Sequence, residues 1–205
     1  ETGSGITVQR HNRPMKPGSS GLPTPGAEIR MVDDEGQSLP PGEVGEVTVR
    51  GPHIMKGYYK NEAETARAIR DGWLYTGDVG YLDEEGEVYI VERKKDMIIR
   101  GGFNIYPSEV EKVLMSHPDV IDAGVLGIPD EQYGEQVCAL LVLKEGAAIG
   151  KKDIQLFCRE NLAKYKVPSY IEFCDSMQKN QLGKLLRREL PAMVNPADLV
   201  AVEWD

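Results

Sequence analysis

The strongest constraint on what this chain can fold into is a change of pattern at Lys95: before it short β-favouring runs are cut by turns, and after it strands alternate with helical segments. Such a change marks a boundary between two architectures. In the first part, 28–32 and 44–50 read as strands, the second because Val44, Val47 and Val49 end at Gly51-Pro52. A hairpin is expected from 79–82, the turn Asp83-Glu84-Glu85-Gly86, and 88–91. One short helix is expected over 61–69, with Asn61 as N-cap and Ala63, Ala66 and Ile69 at helical spacing. The opening stretch 6–26, with Pro14, Pro17, Pro23 and Pro25 among its glycines, reads as loop and extended backbone. In the second part, Ser108-Glu109-Val110-Glu111 has capping-box spacing, and Pro107 disfavours helix just before it. A helix is therefore expected over 109–116, strands over 120–128, 137–143 and 170–173, and an amphipathic helix over 152–162. The expected fold is α+β: a small antiparallel β-sheet or barrel subdomain over 1–94, a compact α+β domain over 95–190, and a tail over 191–205 that is frayed or dependent on its context.

Composition narrows the function. The 22 Gly and 13 Pro supply turns and argue against a long-helix bundle, and a net charge of -9 argues against nucleic acid or an anionic membrane as the main partner. Cys138, Cys158 and Cys174 form an odd set without C-x-x-C spacing, which favours a reducing compartment and no cysteine metal site. No apolar run approaches the roughly 18 residues of a membrane span, and no signal-peptide pattern opens the chain, so a cytoplasmic protein is expected. His11, His53 and His117 are scattered, and no Ser-His-Asp order or glycosidase carboxylate pair stands out.

Chemistry concentrates in a few polar residues on apparently turn-rich segments: Tyr75-Thr76-Gly77-Asp78, the run Val88-Tyr89-Ile90-Val91-Glu92-Arg93-Lys94-Lys95-Asp96, the segment Arg100-Gly101-Gly102-Phe103-Asn104-Ile105-Tyr106-Pro107, and Gly183-Lys184. Asp78 could cap a turn, or accept from two vicinal ribose hydroxyls. Arg93 could be a solvated charge, or a planar fork of donors for phosphate and ribose. Gly101-Gly102 alone could be a turn or bulge, and Lys184 alone could be an exposed lysine at the start of a helix. Lys164, Tyr165 and Lys166 could bind phosphates beside an aromatic ring, or form ordinary basic surface. Trp73 is expected to pack.

Taken in order, these motifs resemble the C-terminal part of the adenylate-forming enzymes, specifically the acyl-CoA synthetases, over about 21–190. The resemblance implies that 1–94 is the end of a large AMP-binding N-terminal domain and 95–190 the mobile C-terminal domain. It implies two half-reactions: a small-molecule carboxylic acid and ATP, with Mg2+, give acyl-adenylate and pyrophosphate, and coenzyme A then takes the acyl group. Asp78 and Arg93 would bind the nucleotide, and Lys184 would stabilise charge near the acyl carboxylate and α-phosphate. Lys95 would be the hinge, and Gly101, Gly102 and Lys166 would serve coenzyme A. Glu1 is either a vector remnant or the metal-holding acid that ends the family's Tyr-Gly-x-Thr-Glu segment.

The sequence also departs from the family. Asn104 stands where some relatives have an arginine used in adenylation, which favours acyl-CoA ligases over peptide-synthetase domains; the proline usual upstream of the Gly-Lys pair is replaced within 176–181. The phosphate loop and acyl pocket are expected in a missing N-terminal domain of the same protein. The fragment alone is therefore expected to be inactive, and a stand-alone module that binds nucleotide, coenzyme A or a partner chain without catalysis is the rival expectation. A medium- or long-chain fatty acid is the expected acid, with an aryl acid second.

Overall fold

The computed structural model describes residues 1–10 and 14–202 and divides into two compact units, Glu1–Lys95 and Asp96–Asp205. The mixed α+β class and the antiparallel sheet of the first unit are as expected from the sequence. In that unit, β1 (Thr7–Val8) pairs with β2 (Leu22–Pro23). A five-stranded antiparallel sheet contains β3 (Glu28–Val32), β4 (Gly45–Arg50), β5 (Ile69–Arg70), β6 (Trp73–Leu82) and β7 (Val88–Arg93), with β6 between β4 and β7. Met31, Val47 and Val88 form its buried centre. The helix α1 (Glu62–Ala68) starts where expected because the Asn61 side chain accepts from the Glu64 N–H at 3.1 Å, satisfying a donor that has no partner in the helix itself. Trp73 packs as expected, buried beneath the guanidinium groups of Arg30 and Arg50 at 4.0 and 4.6 Å from its ring.

One expectation about this sheet is corrected. Tyr75-Thr76-Gly77-Asp78 is no turn between elements but lies inside β6, a ten-residue strand. The turn-like residues serve a bulge: Glu46 pairs with Val79 and Thr48 with Tyr75, so Thr76, Gly77 and Asp78 together face only Val47. Gly77 takes φ +70 there, a left-handed value that suits glycine.

The second unit carries β8 (Ile98–Arg100), β9 (Phe103–Ile105), α2 (Pro107–Met115), β10 (Val120–Asp130), β11 (Gly134–Leu143), α3 (Lys151–Asn161) and β12 (Tyr170–Phe173). Its sheet runs β10-β11-β8-β9, and β12 joins β11 in parallel. Pro107, Val110 and Leu114 of α2 are buried, as are Ile154 and Cys158 of α3. These i, i+4 pairs give each helix an apolar stripe, and together with Val125, Val137, Ala139, Leu141 and Ile171 they form one core. Each fully buried aliphatic side chain of this kind contributes about 1.5–3 kcal/mol, so Leu114→Ala is expected to cost about 2–5 kcal/mol.

Two details differ from expectation. The helix α2 begins at Pro107, not after a Ser108 cap; Tyr106 is the N-cap and makes no side-chain cap bond. A proline at the first helical position removes one of the N–H groups that a helix start leaves unsatisfied, and the Glu109 N–H turns back to the Tyr106 carbonyl at 3.0 Å. The segment after Pro191, expected to fray or to depend on its context, packs down: Val194 and Val202 are buried, the Val202 N–H donates to the Ser169 carbonyl at 2.9 Å, and Gln155 Nε2 donates to the Val202 carbonyl at 3.5 Å. No helix among the described residues is long and apolar enough to cross a membrane. The three cysteines are free; burial pushes the Cys138 and Cys158 thiols up to about 12. His117 stacks edge-on against Phe157, and His11 lies outside the described residues.

Candidate nucleotide, acyl-transfer and coenzyme sites

In the first unit the β6 bulge brings Asp78 and Arg93 together. They face one another across β6 and β7, and Arg93 Nε lies 2.9 Å from Asp78 Oδ1. Arg93 Nη1 also donates to the Thr76 carbonyl at 3.4 Å. The bulge is fixed from below: Thr76 Oγ1 donates to the Val47 carbonyl at 2.8 Å and accepts from the Asp78 N–H at 3.1 Å. Glu46 is a residue that sequence reasoning missed. Its carboxylate accepts from the Gly77 N–H at 3.3 Å and from Lys94 Nζ at 2.9 Å, and Lys94 also donates to Asp34 at 2.9 Å. Burial alone would lower the Lys94 pKa, but its bonds to Glu46 and Asp34 outweigh that and raise it. The register that pairs Glu46 with Val79 was the available signal, and it is not visible without the bulge. Asp78 thus presents a carboxylate beside a guanidinium on a stiff strand, a pairing able to take sugar hydroxyls and phosphate oxygens.

Glu1 lies near α1, where Tyr58 donates its hydroxyl to the Glu1 carboxylate and the Met55 N–H donates to the Glu1 carbonyl at 2.8 Å. Among the described residues no cluster of three or more His, Cys, Asp or Glu could hold a metal unaided. One exposed carboxylate does fit Mg2+, which is commonly held by one or two carboxylates together with substrate phosphates.

At the end of the first unit Lys95 sits exposed in the single 3-10 turn Lys94–Asp96. In the second unit, Gly101 and Gly102 form the two-residue connection between β8 and β9, at φ +57 and +82, with Arg100 facing Phe103. Two successive left-handed residues are the requirement of a type I′ hairpin turn, so glycine here has a backbone reason whatever else it does. The loop borders a cleft of about 620 Å³ lined by Arg100, Phe103, Tyr133, Arg159, Lys164 and Tyr165. Phe103 and Tyr165 stack at 4.6 Å between ring centroids. Burial lowers the Arg100 pKa, and its guanidinium donates to the Tyr165 carbonyl at 2.9 Å, which anchors the cleft floor. Lys166 is turned aside: its ammonium binds both Glu109 carboxylate oxygens at 2.6 Å. Lys164 lines the cleft; Lys166 does not.

Lys184 is exposed near the tip of a hairpin in the second unit. Lys179 bridges to Leu185, the Asn180 side chain accepts from the N–H groups of Leu182 and Lys184 at 3.0 and 2.9 Å, and Gly183 takes φ +77 to close the turn.

The family model described as "AMP-binding enzyme" matches residues 1–59, and the one described as "AMP-binding enzyme C-terminal domain" matches 109–184. The chain belongs to the AMP-binding enzyme family. Among its curated relatives are a 2-succinylbenzoate–CoA ligase of Geobacillus kaustophilus, 49% identical over 87% of this chain and 36% of the relative, and a long-chain-fatty-acid–CoA ligase of Bacillus subtilis, 49% identical over 85% of this chain and 31% of the relative. A solved structure of O-succinylbenzoate coenzyme A synthetase from Bacillus subtilis, in complex with ATP and magnesium ion, is 43% identical with a TM-score of 0.76, over 92% of this chain and 39% of that one. This AMP-binding chain therefore spans about a third of the length of the curated relatives it matches. Its coverage by two family models, one of them specific to a C-terminal domain, identifies it as a C-terminal portion of the family's fold.

Proposed function

We propose that the protein containing this chain is an acid–thiol ligase that joins a carboxylic acid to coenzyme A through an acyl-adenylate. The observation that carries the proposal is the pairing of Asp78 with Arg93 on the β6 bulge, in a chain 49% identical to two different CoA ligases. In the first half-reaction the substrate carboxylate attacks the α-phosphorus of ATP and the bond to pyrophosphate breaks. Asp78 accepts from the ribose hydroxyls, Arg93 donates to ribose and phosphate oxygens, and Lys184 offsets the charge that develops at the α-phosphate. Glu1 would be a carboxylate ligand for Mg2+, which when bound would neutralise phosphate charge. In the second half-reaction the coenzyme A sulfur attacks the acyl carbon and AMP leaves. The cleft lined by Gly101, with Gly102 next to it in the same turn, takes the coenzyme; its stacked rings, with Arg159 and Lys164 close by, suit an adenine and its phosphates. Lys95 is the hinge by which Asp96–Asp205 serves both steps.

The acid is proposed to be a medium- or long-chain fatty acid. An aryl acid is the second reading, favoured by the equal identity to the 2-succinylbenzoate relative. Pyrophosphate exchange and thioester formation, measured on the complete protein with dodecanoate, palmitate, benzoate and 2-succinylbenzoate, test both. Exchange with none of these acids, despite saturating ATP and Mg2+, would leave only nucleotide or coenzyme binding. The coenzyme assignment is tested by two changes at one position. Gly102→Asn tolerates the left-handed backbone, whereas Gly102→Leu adds a branched side chain at a strained φ. Thioester formation is expected to fall in the leucine variant and largely survive in the asparagine variant, with pyrophosphate exchange intact in both.

A further inference from the structure

Lys184 is presented by a hairpin whose two feet are both tied to β10, the second foot to α2 as well. At the first foot Lys179 Nζ lies 2.7 Å from Asp122 Oδ2 on β10. Across the base the Leu186 N–H donates to the Gln178 carbonyl at 2.9 Å. At the second foot Arg187 donates through Nη1 and Nη2 to the two Glu111 oxygens of α2, each at 2.7 Å, and Nη1 also reaches the Val125 carbonyl at 3.3 Å. Glu111 in turn accepts from the Val125 N–H at 2.8 Å. The pair is mostly buried, with side chains 19% and 15% exposed. Next to it, Gly124 lets the segment lie close: a Cβ there would come within 2.9 Å of Met177 Sδ, 3.1 Å of a Leu190 methyl and 3.2 Å of a Leu185 methyl.

We infer that Arg187 and Glu111 are positioning residues for Lys184, holding the hairpin so that its ammonium is aimed rather than free to wander. The inference rests on the proposed role of Lys184 in adenylate formation. A planar fork engages two carboxylate oxygens and one carbonyl at once, and three fixed directions determine where the chain leaves Arg187; a lysine, as a point charge, fixes none of them. Net stability does not decide the role: a buried pair replaced whole by apolar groups is often neutral, whereas removing one partner leaves the other charge uncompensated, so the tests include melting temperature. The clamp instead decides where a flexible four-carbon side chain begins, three residues upstream.

The test uses Arg187→Lys and Glu111→Gln, with Lys184→Ala as reference. In the complete protein, pyrophosphate exchange is expected to fall about 10- to 100-fold in Arg187→Lys, the size of effect that follows a displacement of about 1 Å in a reacting group. Thioester formation from supplied acyl-adenylate is expected to stay within about twofold, since positioning of Lys184 is not needed there. Amide hydrogen exchange over 179–186 should speed up in both variants while the rest of 96–202 is unchanged. That readout does not depend on what Lys184 does. If exchange over 179–186 is unaltered although Lys184→Ala abolishes adenylation, the positioning role is wrong and the lysine's role stands. Faster exchange with adenylation untouched in all three variants supports the clamp and removes the catalytic assignment of Lys184. Parallel loss of both half-reactions with a large fall in melting temperature in both clamp variants assigns Arg187 and Glu111 to folding alone.

Discussion

The Asp78–Arg93 pair and Lys184 hold their positions by opposite means. The first two face each other on adjacent strands, 2.9 Å apart, with the bulge beneath them hydrogen-bonded to β4. Their geometry follows from sheet register, and a side chain can be lost without moving the backbone. Lys184 is exposed on a short hairpin with few backbone bonds of its own, tied down by side chains at its feet, Lys179, Asn180 and Arg187. Groups that must hold a ligand throughout a reaction benefit from the first arrangement; a group needed in only one step can be carried by the second. In the first case the backbone is the scaffold, in the second a few polar contacts are.

Lys184→Ala should show the largest effect. Removing a preorganised cation of this kind typically slows the assisted step about 100- to 1,000-fold. Pyrophosphate exchange should fall by that much while coenzyme A attack on supplied adenylate and the melting temperature persist. Unchanged exchange would place Lys184 on ordinary surface and dissolve the contrast. Next comes Asp78→Ala. Loss of hydrogen bonds to a charged group costs about 1.5–3 kcal/mol, or roughly 10- to 100-fold in ATP KM. An exposed ion pair contributes only about 0–1 kcal/mol to stability, so melting should shift by a few degrees at most. A large loss of stability with normal ATP affinity would return Asp78 to a purely structural part of the bulge.

A smaller effect is expected at the hinge. Lys95→Pro fixes φ near -65° and should impair one half-reaction more than the other, whereas Lys95→Ala should be mild, because an exposed side chain is removed and the backbone left free. Equal losses in both variants would show that the lysine side chain matters. The smallest effect concerns the thiols. Cys138 and Cys158 are buried with pKa values of about 12, so native protein at pH 8 should be alkylated by iodoacetamide at Cys174 first and at the other two only after unfolding. Mass spectrometry of the labelled peptides checks this, and early labelling of Cys158 would mean that α3 opens readily.

How legible this was in the sequence depended on the range over which each feature is determined. Elements set by local pattern, such as the Asn61-capped helix, the strands at Glu28–Val32 and Tyr170–Phe173, and the helix Lys151–Asn161, were read closely. The β6 bulge reads as a turn because Thr76-Gly77 has turn chemistry, while the pairing that makes it a strand lies with Glu46 and Thr48, far along the chain. Strands β8 and β9 were missed because each has three residues and they are joined by Gly101-Gly102, which looks only like punctuation. At the sites, the motif residues are legible in the sequence, but Glu46 is not, and Glu111 reads only as the acid of a capping box rather than as the partner of Arg187: an acid among 33 acidic residues gives no sign of which cation it will meet.

The helix α2 constrains how this chain can change length. Glu109 and Glu111, two residues apart and so about 200° around the helix, point to opposite flanks, one binding Lys166 and the other Arg187. Val110 between them faces the core with Leu114. A single inserted residue between Pro107 and Glu109 would turn both acids by about 100° relative to the helix start, unseating two distant segments together. An insertion in the connection at 144–150, after β11, would meet no such yoke. Length variation should therefore accumulate there and be excluded from the first turn of α2, a pattern set by angular phase rather than by the identity of any residue.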